Sequence, residues 1–395
     1  MPVADRARRI EYAIRDILGI AQQVEKSGKK VIYLNIGDPA RFDFQTPSHV
    51  RKALAKAADA GFNYYASSEG LRALREAVVE KEWRINSVRL SGDDVIITSG
   101  ISEGIHFLMG TLVQAGDEVL VPGPTYPPYT SFVKFFGGTP VAYRTIEEHE
   151  WLPDLDDLSK KITDKTRALV IVNPNNPTGS LYDERTLRGM LDIAAEHDLL
   201  VASDEIYDRL VYDSKFTSTA AIAKDVAVVG LNGFSKTYVM TGWRLGYLYF
   251  HDPANLLTEL KEAIAKQSRI RLSAVTPVQY AAVRALKGSQ KHIATMVRIL
   301  KERRDHFLRR IRAIEGITCT TPKGAFYLFP KVALGRRWNS DKDFAVDLVK
   351  RTGVLVVNGS GFDQVYGAGH FRTVFLPPLD VIDEAADRIE QFMRS

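Results

Sequence analysis

The sequence predicts an α/β protein with two domains: a large domain whose mostly parallel seven-stranded sheet lies between helices, and a smaller α+β domain built from both termini. Two observations predict this fold. From about residue 93 to 250, short apolar runs alternate with helical segments, and after residue 280 strands and helices are mixed. We expect an N-terminal segment at 1–45 that joins the small domain, the large domain at 46–280 and the C-terminal small domain at 281–395.

The N-terminal part predicts one or two helices and then a strand. Apolar residues recur at helical spacing from Ile10 to Val24, and a glycine stop follows at Gly28. The run at 31–36 is typical of a strand, and it ends at Gly37, where glycine permits close approach of the backbone. The loop at 63–70 carries Tyr65, and loops with exposed tyrosines often bind ligands or partners.

The predicted sheet of the large domain is based on apolar runs that each end in a polar or glycine-rich corner. These runs lie at 95–98, 118–121, 168–172, 199–202, 226–229 and 246–249. In sheets of this kind ligands bind beyond the carboxyl ends of the strands. We therefore expect the functional residues just after these runs.

The last part of the chain predicts the connection to the small domain and its elements. A long helix with an apolar stripe from Ile293 to Ile314 is expected to join the two domains. The segments 324–329, 354–357 and 371–375 are typical of strands, and 342–352 and 381–393 of helices. Together they predict an α+β unit.

Composition excludes several classes of protein. The chain has 53 Lys plus Arg against 48 Asp plus Glu, spread evenly, so we do not expect nucleic acid as a partner. A single cysteine, Cys319, excludes an intramolecular disulfide and a cysteine-based metal cluster. No run approaches the roughly 18 apolar residues of a membrane span. We predict no metal site, no membrane association and a cytoplasmic location.

Three corners of the sheet carry polar or aromatic candidates. The turn at 99–104 presents Gly100, Ile101 and Ser102 at the start of a helix, where free N–H groups favour a phosphate, although Ser102 as a simple N-cap explains the residues equally well. The proline-rich corner at 122–129 holds Tyr126, either for stacking on a flat ring or as a core residue. The corner at 173–179 presents Asn176 in one orientation.

Two further turns after predicted strands carry charged side chains. Asp204 closes an apolar run, so it needs a cation or a strong donor unless it caps a helix. A protonated ring nitrogen is the attractive partner, because an aspartate holds that nitrogen in pyridoxal phosphate sites. Lys236 follows Ser235 in apolar surroundings and precedes Arg244 by eight residues. A desolvated amine beside fixed positive charge is held partly neutral, which suits attack on an anionic aldehyde.

Four segments occur together in an order and spacing that resemble one enzyme family. They are NPNNPTG at 173–179, SDEIY at 203–207, SK at 235–236 and WRLG at 243–246. The chain thereby resembles the class I/II aminotransferases, which are pyridoxal phosphate enzymes of fold type I. The segments LNIGDP at 34–39, VPGPTYPPY at 121–129 and GHFR at 369–372 are most similar to the prokaryotic alanine aminotransferase branch.

This resemblance implies a role for each candidate around pyridoxal 5'-phosphate. Lys236 forms the covalent link to the cofactor aldehyde and becomes the general base once displaced, Asp204 pairs with the pyridine nitrogen, and Asn176 and Tyr207 bond the ring hydroxyl. Tyr126 is expected to stack on the ring. The phosphate is expected to be held by Ser102, Ser235, Arg244, the backbone of Gly100 and Ile101, and Tyr65 from the second subunit of a homodimer.

The resemblance also implies a reaction between amino acids and 2-oxo acids with ping-pong kinetics, most simply L-alanine plus 2-oxoglutarate giving pyruvate plus L-glutamate. Arg372, helped by the Gly37 backbone, is expected to bind the substrate α-carboxylate. The segment Tyr12-Ala13-Ile14-Arg15 resembles one of this branch, so Tyr12 or Arg15 is a candidate for the distal carboxylate of glutamate. Arg269 and Arg271 compete for that role.

Other functions remain open from the sequence. An aspartate or aromatic aminotransferase, or a β-lyase, has the same fold. A pyridoxal-phosphate-binding regulator carries an added DNA-binding domain, for which the roughly 30 residues before Val31 are too few. A nicotinamide-dependent dehydrogenase needs Gly-x-Gly-x-x-Gly after the first strand, whereas the Gly359-Ser360-Gly361 segment is incomplete and near the C-terminus.

Overall fold

The structure, a computed structural model, describes residues 1–8, 10, 14 and 17–395. Its strands are β1 Ile32–Tyr33, β2 Val95–Thr98, β3 Glu118–Gly123, β4 Thr139–Ile146, β5 Leu152–Pro153, β6 Thr166–Val172, β7 Leu200–Asp204, β8 Val228–Gly233, β9 Gly246–His251, β10 Ile317–Thr318, β11 Tyr327–Leu328, β12 Lys331–Val332, β13 Val354–Leu355, β14 Val357–Asn358 and β15 Phe371–Val374.

The α-helices lie between these strands and at both ends of the described chain. They are α1 Asp5–Arg8, α2 Leu18–Lys26, α3 Ser48–Asp59, α4 Arg72–Asn86, α5 Ile101–Leu112, α6 Pro127–Phe135, α7 Leu155–Lys160, α8 Glu184–Glu196, α9 Thr219–Ile222, α10 Thr258–Arg271, α11 Thr276–Lys287, α12 Lys291–Arg312, α13 Asp341–Thr352 and α14 Leu379–Arg394. Short 3-10 helices lie at Pro39–Arg41, Gly92–Asp94, Glu147–His149, Thr241–Trp243 and Gly359–Gly361.

The central sheet has eight strands in the order β2-β9-β8-β7-β6-β3-β4-β5. The pairs from β8 to β4 are parallel, whereas β9 runs antiparallel to both β2 and β8. Six of these strands lie at the apolar runs that the sequence singles out, and β4 completes the expected seven-stranded, mostly parallel sheet. The eighth, β5, has two residues and pairs antiparallel with the edge strand β4.

Helices cover both faces of this sheet, which confirms the predicted α/β fold class. Residues of β6 and β7 are almost wholly buried, with side chains that alternate between two apolar cores. One core includes Leu169 and Ile171 together with helices α4, α8 and α11, and the other includes Val170 and Val172 together with α5 and α6. A parallel strand buried on both faces requires a continuous apolar run, which is the pattern that the sequence contains.

A third apolar core is built from both ends of the described chain. It joins residues of α2 and β1 with residues of α12, α13 and α14 and of the small sheets. Strand β1 pairs in parallel with β13, and β11, β15 and β14 form a three-stranded antiparallel sheet. The predicted helix around residues 293–314 is α12, and the predicted C-terminal helices are α13 and α14.

Helix boundaries follow local capping chemistry. In α8 the Asp183 side chain accepts a hydrogen bond from the Thr186 N–H, and in α13 the Ser340 hydroxyl accepts one from the Asp343 N–H. Helix α13 ends at Gly353, whose φ of 75° is left-handed. None of the helices in the described ranges is both long and apolar enough to cross a membrane.

Candidate active site

A cavity of about 520 Å³ lies at the carboxyl ends of the central parallel strands. Asp204 is the last residue of β7, Asn176 follows β6, and Lys236 follows β8. Because these strands are neighbours and run in the same direction, their ends bring the three side chains to one place. The structure therefore brings together residues that are up to 60 positions apart in the sequence.

Most of the residues predicted for the site line this cavity. They are Gly37, Ile101, Ser102, Tyr126, Asn176, Asp204, Tyr207, Ser235, Lys236, Arg244 and Arg372. Gly100 lies immediately before the lining part of α5 and contacts Arg244. Tyr65 lies elsewhere on the surface, where the residue is 78% exposed. Tyr12 and Arg15 lie outside the described residues.

The amine of Lys236 points at the backbone. Its Nζ donates a hydrogen bond to the Gly37 carbonyl oxygen at 2.7 Å. Burial lowers the pKa of Lys236 to about 8, the charges of Arg372 and Arg244 act in the same direction, and Asp38 and Asp204 oppose them. This amine is therefore a far better nucleophile and base at neutral pH than a solvated lysine.

Asp204 is a buried carboxylate with neutral hydrogen-bond donors. Its Oδ2 accepts from the Tyr129 hydroxyl at 2.9 Å, and its Oδ1 accepts from the Ile206 N–H at 3.2 Å. Burial raises the pKa of Asp204 to about 6, against the effect of these donors and of the Lys236 charge. The residue is followed by a turn and not by a helix, so it does not act as an N-cap. A cation placed against it would relieve the cost of its burial.

The N-terminus of α5 forms the opposite end of the cavity. Gly100 precedes the helix with a φ of 82° and takes the N-cap position, so Ser102 is not the cap and its side chain lies on the cavity wall. A Cβ at Gly100 would lie 2.5 Å from Nη2 of Arg244. Gly100 leaves room for the Arg244 guanidinium beside the start of the helix, where the first N–H groups are free, and these groups form a cradle for an anion together with Ser235.

Arg372 lies in β15 and is 1% exposed. Its Nη1 donates to Oδ1 of Asn176 at 2.8 Å, its Nη2 donates to the Asn35 carbonyl oxygen, and its guanidinium packs on the rings of Tyr327 and Phe362. Its buried Nε has no hydrogen-bond partner among the described residues. A guanidinium has five N–H donors, so this side chain is fixed in place and still has donors for a carboxylate.

Tyr207 is bonded to a residue that the sequence did not single out. Its hydroxyl lies 2.7 Å from the hydroxyl of Tyr327, and burial raises its pKa well above the ordinary value. Because Asn176 uses its oxygen to accept from Arg372, its amide nitrogen is the atom that can donate to a ligand.

The two competing arginines have other partners. Nη1 of Arg271 donates to Glu103 at 2.6 Å, and Nη2 of Arg271 donates to the Ser68 carbonyl oxygen at 2.9 Å. Arg269 lies at the surface beside Glu262 and Glu69. Neither residue is among those that line the described cavity.

Several wall residues were not predicted as site residues. They include Asp38, Thr241 and Tyr327, and Tyr129 lies behind the wall as the hydrogen-bond donor to Asp204. Tyr129 and Asp38 belong to segments that the sequence did single out, at 121–129 and 34–39, but a tyrosine in a proline-rich turn carries no charge signal. No group of three His, Cys, Asp or Glu side chains in the described ranges is arranged to bind a metal ion.

Comparison with known proteins agrees with this geometry. The model of the aminotransferase class I and II family matches residues 29–389. The chain belongs to this family and is a transaminase, which confirms the resemblance predicted from its motifs.

Three relatives illustrate this similarity. An alanine aminotransferase structure from Pyrococcus furiosus aligns with a TM-score of 0.98 and 52% identity, covering 100% of both chains. The glutamate-pyruvate aminotransferase AlaA of Haemophilus influenzae is 36% identical over 99% of this chain and 98% of its own length. The aromatic-amino-acid aminotransferase 2 of Thermococcus litoralis is 35% identical over 100% of this chain and 99% of its own length.

Proposed function

We propose that this transaminase binds pyridoxal 5'-phosphate and exchanges an amino group between L-alanine and 2-oxoglutarate, giving pyruvate and L-glutamate. The observation that carries the proposal is that the Lys236 amine, the Asp204 carboxylate and the Arg372 guanidinium face one cavity. The Pyrococcus relative is named an alanine aminotransferase and the Haemophilus relative a glutamate-pyruvate aminotransferase, which supports alanine with pyruvate and glutamate with 2-oxoglutarate as the two substrate pairs.

The residues of the cavity fit this cofactor. The buried Asp204 has no cationic hydrogen-bond partner in the described chain, and a protonated pyridine nitrogen would supply one. The cradle of Ser102, Ser235, Arg244 and the start of α5 fits the phosphate. Tyr126 is proposed to stack on the ring, and the Asn176 amide and the Tyr207 hydroxyl are proposed to bond its hydroxyl group.

The proposed chemistry combines the cofactor with the properties of Lys236. When bound, pyridoxal phosphate supplies an aldehyde that combines with an amine and a ring that takes up the electron pair released at the substrate α-carbon. At pH 7 a pKa of about 8 leaves about one Lys236 amine in ten neutral, against about one in 2,500 for an ordinary lysine. The neutral Nζ would take the α-proton of the substrate and deliver it to the carbon that carried the cofactor aldehyde. The amino group would then stay with the cofactor after the first 2-oxo acid leaves and pass to a second one, so we expect ping-pong kinetics.

Arg372 is proposed to fix the substrate for that proton transfer. Its free N–H donors bind the α-carboxylate bidentately, and the Gly37 backbone borders the same part of the cavity. Alanine leaves the side-chain space almost empty, whereas glutamate brings a second carboxylate. We propose that Arg15 or Tyr12 contacts that distal carboxylate.

The complete site is proposed to need two copies of the chain. Tyr65 is exposed, and an aliphatic surface formed by Ile270, Leu272 and Val275 is also exposed, which supports a homodimer in which Tyr65 reaches the partner's phosphate site. Residues of 1–45 share an apolar core with residues of 281–395, and two other apolar cores lie almost wholly within 46–280, which supports the division into 1–45, 46–280 and 281–395. Cys319 is a buried free thiol, in agreement with the proposed cytoplasmic location.

A second candidate function is an aromatic aminotransferase, favoured by the similarity to the Thermococcus protein. A panel of half-reactions decides between them. The purified holoenzyme is mixed with alanine, glutamate, aspartate and phenylalanine separately, and the change in cofactor absorbance is followed at each concentration. We expect alanine and glutamate to give the highest kcat/KM values, and a preference for phenylalanine would contradict the proposal.

A further inference from the structure

Asp38 is a carboxylate on the wall of the cavity that has no role in the chemistry described above. It follows β1 and caps the 3-10 helix Pro39–Arg41, and its Oδ1 accepts a hydrogen bond from the Ala40 N–H at 3.1 Å. The same oxygen accepts from the Thr241 hydroxyl at 2.7 Å. Thr241 begins the short helix Thr241–Trp243, which Arg244 follows on the proposed phosphate side of the cavity. Asp38 therefore ties the segment after β1 to the loop that follows β8.

The hydrogen bond between Asp38 and Thr241 fixes the position of the Gly37 carbonyl oxygen, which is the hydrogen-bond acceptor of Lys236. Gly37, the neighbour of Asp38, accepts from Nζ of Lys236 at 2.7 Å through its carbonyl oxygen. The other side of Gly37 is closed, since a Cβ there would clash with the hydroxyl of Tyr327. The backbone is thus held between Tyr327 and the Asp38–Thr241 bond, and its carbonyl stays directed at the amine.

Four charged groups act on the Lys236 amine, and Asp38 has the largest effect among them. Burial lowers the pKa of Lys236 most, Asp38 raises it, Arg372 and Arg244 lower it, and Asp204 raises it. The rings of Tyr207 and Phe326 also face Nζ at 5.9 and 5.5 Å. Arg41 faces Asp38 from the solvent side at 3.9 Å, with its own side chain 64% exposed.

The charge of Asp38 also opposes the two arginines that bind anions. Without it, the nearest charges to Nζ would be mainly positive, and the amine would lose its proton at a lower pH. An anion bound at Arg244 and a carboxylate bound at Arg372 would each neutralise the positive charge of one arginine. The Asp38 carboxylate is held by hydrogen bonds within the protein, so its negative charge would act on the Lys236 amine before and after both groups bind.

We propose that Asp38 is a positioning residue for Lys236: through its bond to the Thr241 hydroxyl it holds the Gly37 carbonyl oxygen against Nζ and keeps a fixed negative charge on the wall of the same cavity. This inference rests on the proposed function of Lys236 as the amine that reacts. It assigns Asp38 no contact with the reacting atoms.

The test is a titration of the amine in the full-length protein without cofactor. Trinitrobenzenesulfonate reacts with neutral amines, and peptide mass analysis gives the rate at Lys236 alone as a function of pH. In Asp38→Asn the side chain still accepts from Thr241 but has no charge. We expect the midpoint of the rate profile to fall by about one pH unit, as for loss of a nearby unit charge in a partly solvated site.

Two further variants separate charge from packing. Asp38→Glu keeps the charge, so its midpoint is expected to return toward that of the wild type. Thr241→Val keeps Asp38 but releases it, so its midpoint is expected to shift in the same direction by a smaller amount. Asp59→Asn, at an exposed position at the end of α3, is the matched control and is expected to leave the midpoint unchanged.

The results also separate this inference from the proposed function. If Asp38→Asn has a normal melting temperature and its rate profile at Lys236 has the same midpoint as that of the wild type, the inference is overturned. If Asp38→Asn does not fold, an unshifted midpoint in Thr241→Val overturns it instead. The titration needs neither cofactor nor turnover, so a shifted midpoint in a protein that transfers no amino group would contradict the proposed function and leave the role of Asp38 intact.

Discussion

The hydroxyl of Tyr129 donates a hydrogen bond to Oδ2 of Asp204 at 2.9 Å, in a place where both side chains are almost completely buried. Tyr129 lies in α6 and Asp204 at the end of β7, so the bond links two elements at the carboxyl edge of the sheet. A neutral donor only partly offsets the burial of a carboxylate. The ionised form of Asp204 therefore destabilises the folded protein unless a cation binds against it.

The first prediction concerns stability without cofactor. The pKa of Asp204 is raised to about 6 in the folded protein, whereas in the unfolded chain it has its ordinary value near 4. Between these two values the unfolded chain has lost the Asp204 proton and the folded protein still holds it, so the free energy of unfolding falls as the pH rises. Two pKa units correspond to about 3 kcal/mol. We expect Asp204→Asn to melt at a higher temperature than the wild type at pH 8 and to have no such advantage at pH 4.

The control for this prediction is Asp59→Asn, which should leave the melting temperature unchanged at both pH values. Added pyridoxal phosphate should stabilise the wild type more than Asp204→Asn, because only the wild type gains a cation partner. Equal destabilisation of Asp204→Asn at pH 4 and pH 8 would contradict the account of its burial.

The second prediction concerns Arg372. Lysine keeps the positive charge but cannot donate bidentately to a carboxylate and to the Asn176 oxygen together. We expect Arg372→Lys to lower kcat/KM for amino acids by about 10- to 100-fold, the loss of one charge-assisted hydrogen bond. Affinity for the cofactor, measured by absorbance titration, should change little.

Arg269→Lys makes the same chemical change at an exposed arginine and should leave kcat/KM unchanged. If Arg372→Lys instead lost its cofactor while the kcat/KM of the remaining holoenzyme stayed normal, Arg372 would not be the substrate anchor.

The third prediction tests the shared site. Heterodimers are purified from two differently tagged chains, one with Tyr65→Ala and one with Lys236→Ala. Only one of the two sites then combines an intact Lys236 with an intact Tyr65 from the other chain. At limiting cofactor we expect about half of the wild-type activity, well above that of either homodimer.

Tyr64→Ala replaces Tyr65→Ala in the control and should reduce cofactor affinity less, since the Tyr64 hydroxyl bonds that of Tyr280 in the same chain. Heterodimers no more active than the Tyr65→Ala homodimer would exclude a contribution of Tyr65 across the subunit boundary.

The fourth prediction concerns the second substrate. If Arg15 contacts the distal carboxylate of glutamate, Arg15→Ala should raise the KM for glutamate by at least about 10-fold and leave the KM for alanine nearly unchanged. Arg269→Ala serves as the comparison, because Arg269 competed for this role in the sequence. Equal effects of Arg15→Ala on both substrates would reject the assignment.

The sequence predicted the architecture because each central strand is an apolar run followed by a polar corner. It did not predict β4, since this strand alternates partly exposed residues such as Pro140 and Arg144 at the edge of the sheet. The sequence pattern of an edge strand that alternates buried and exposed residues is harder to distinguish than the continuous apolar run of a fully buried strand.

In the site, charged residues at strand ends could be found from sequence, whereas their supports could not. Tyr129, Tyr327 and Asp38 act through bonds to residues more than 70 positions away. Nothing in the local sequence encodes such a contact, because it depends on which strand ends become neighbours. The charge balance at Lys236 likewise follows from tertiary structure.

The central claim is that Lys236 anchors the cofactor and then moves the proton. Reduction of the holoenzyme with borohydride, followed by peptide mass analysis, tests it most directly. We expect one reduced cofactor per chain, on Lys236 alone, and in Lys236→Ala no covalent label and a half-reaction with alanine slower by at least about a thousand-fold. Label on another lysine, or an undiminished half-reaction in Lys236→Ala, would contradict the account.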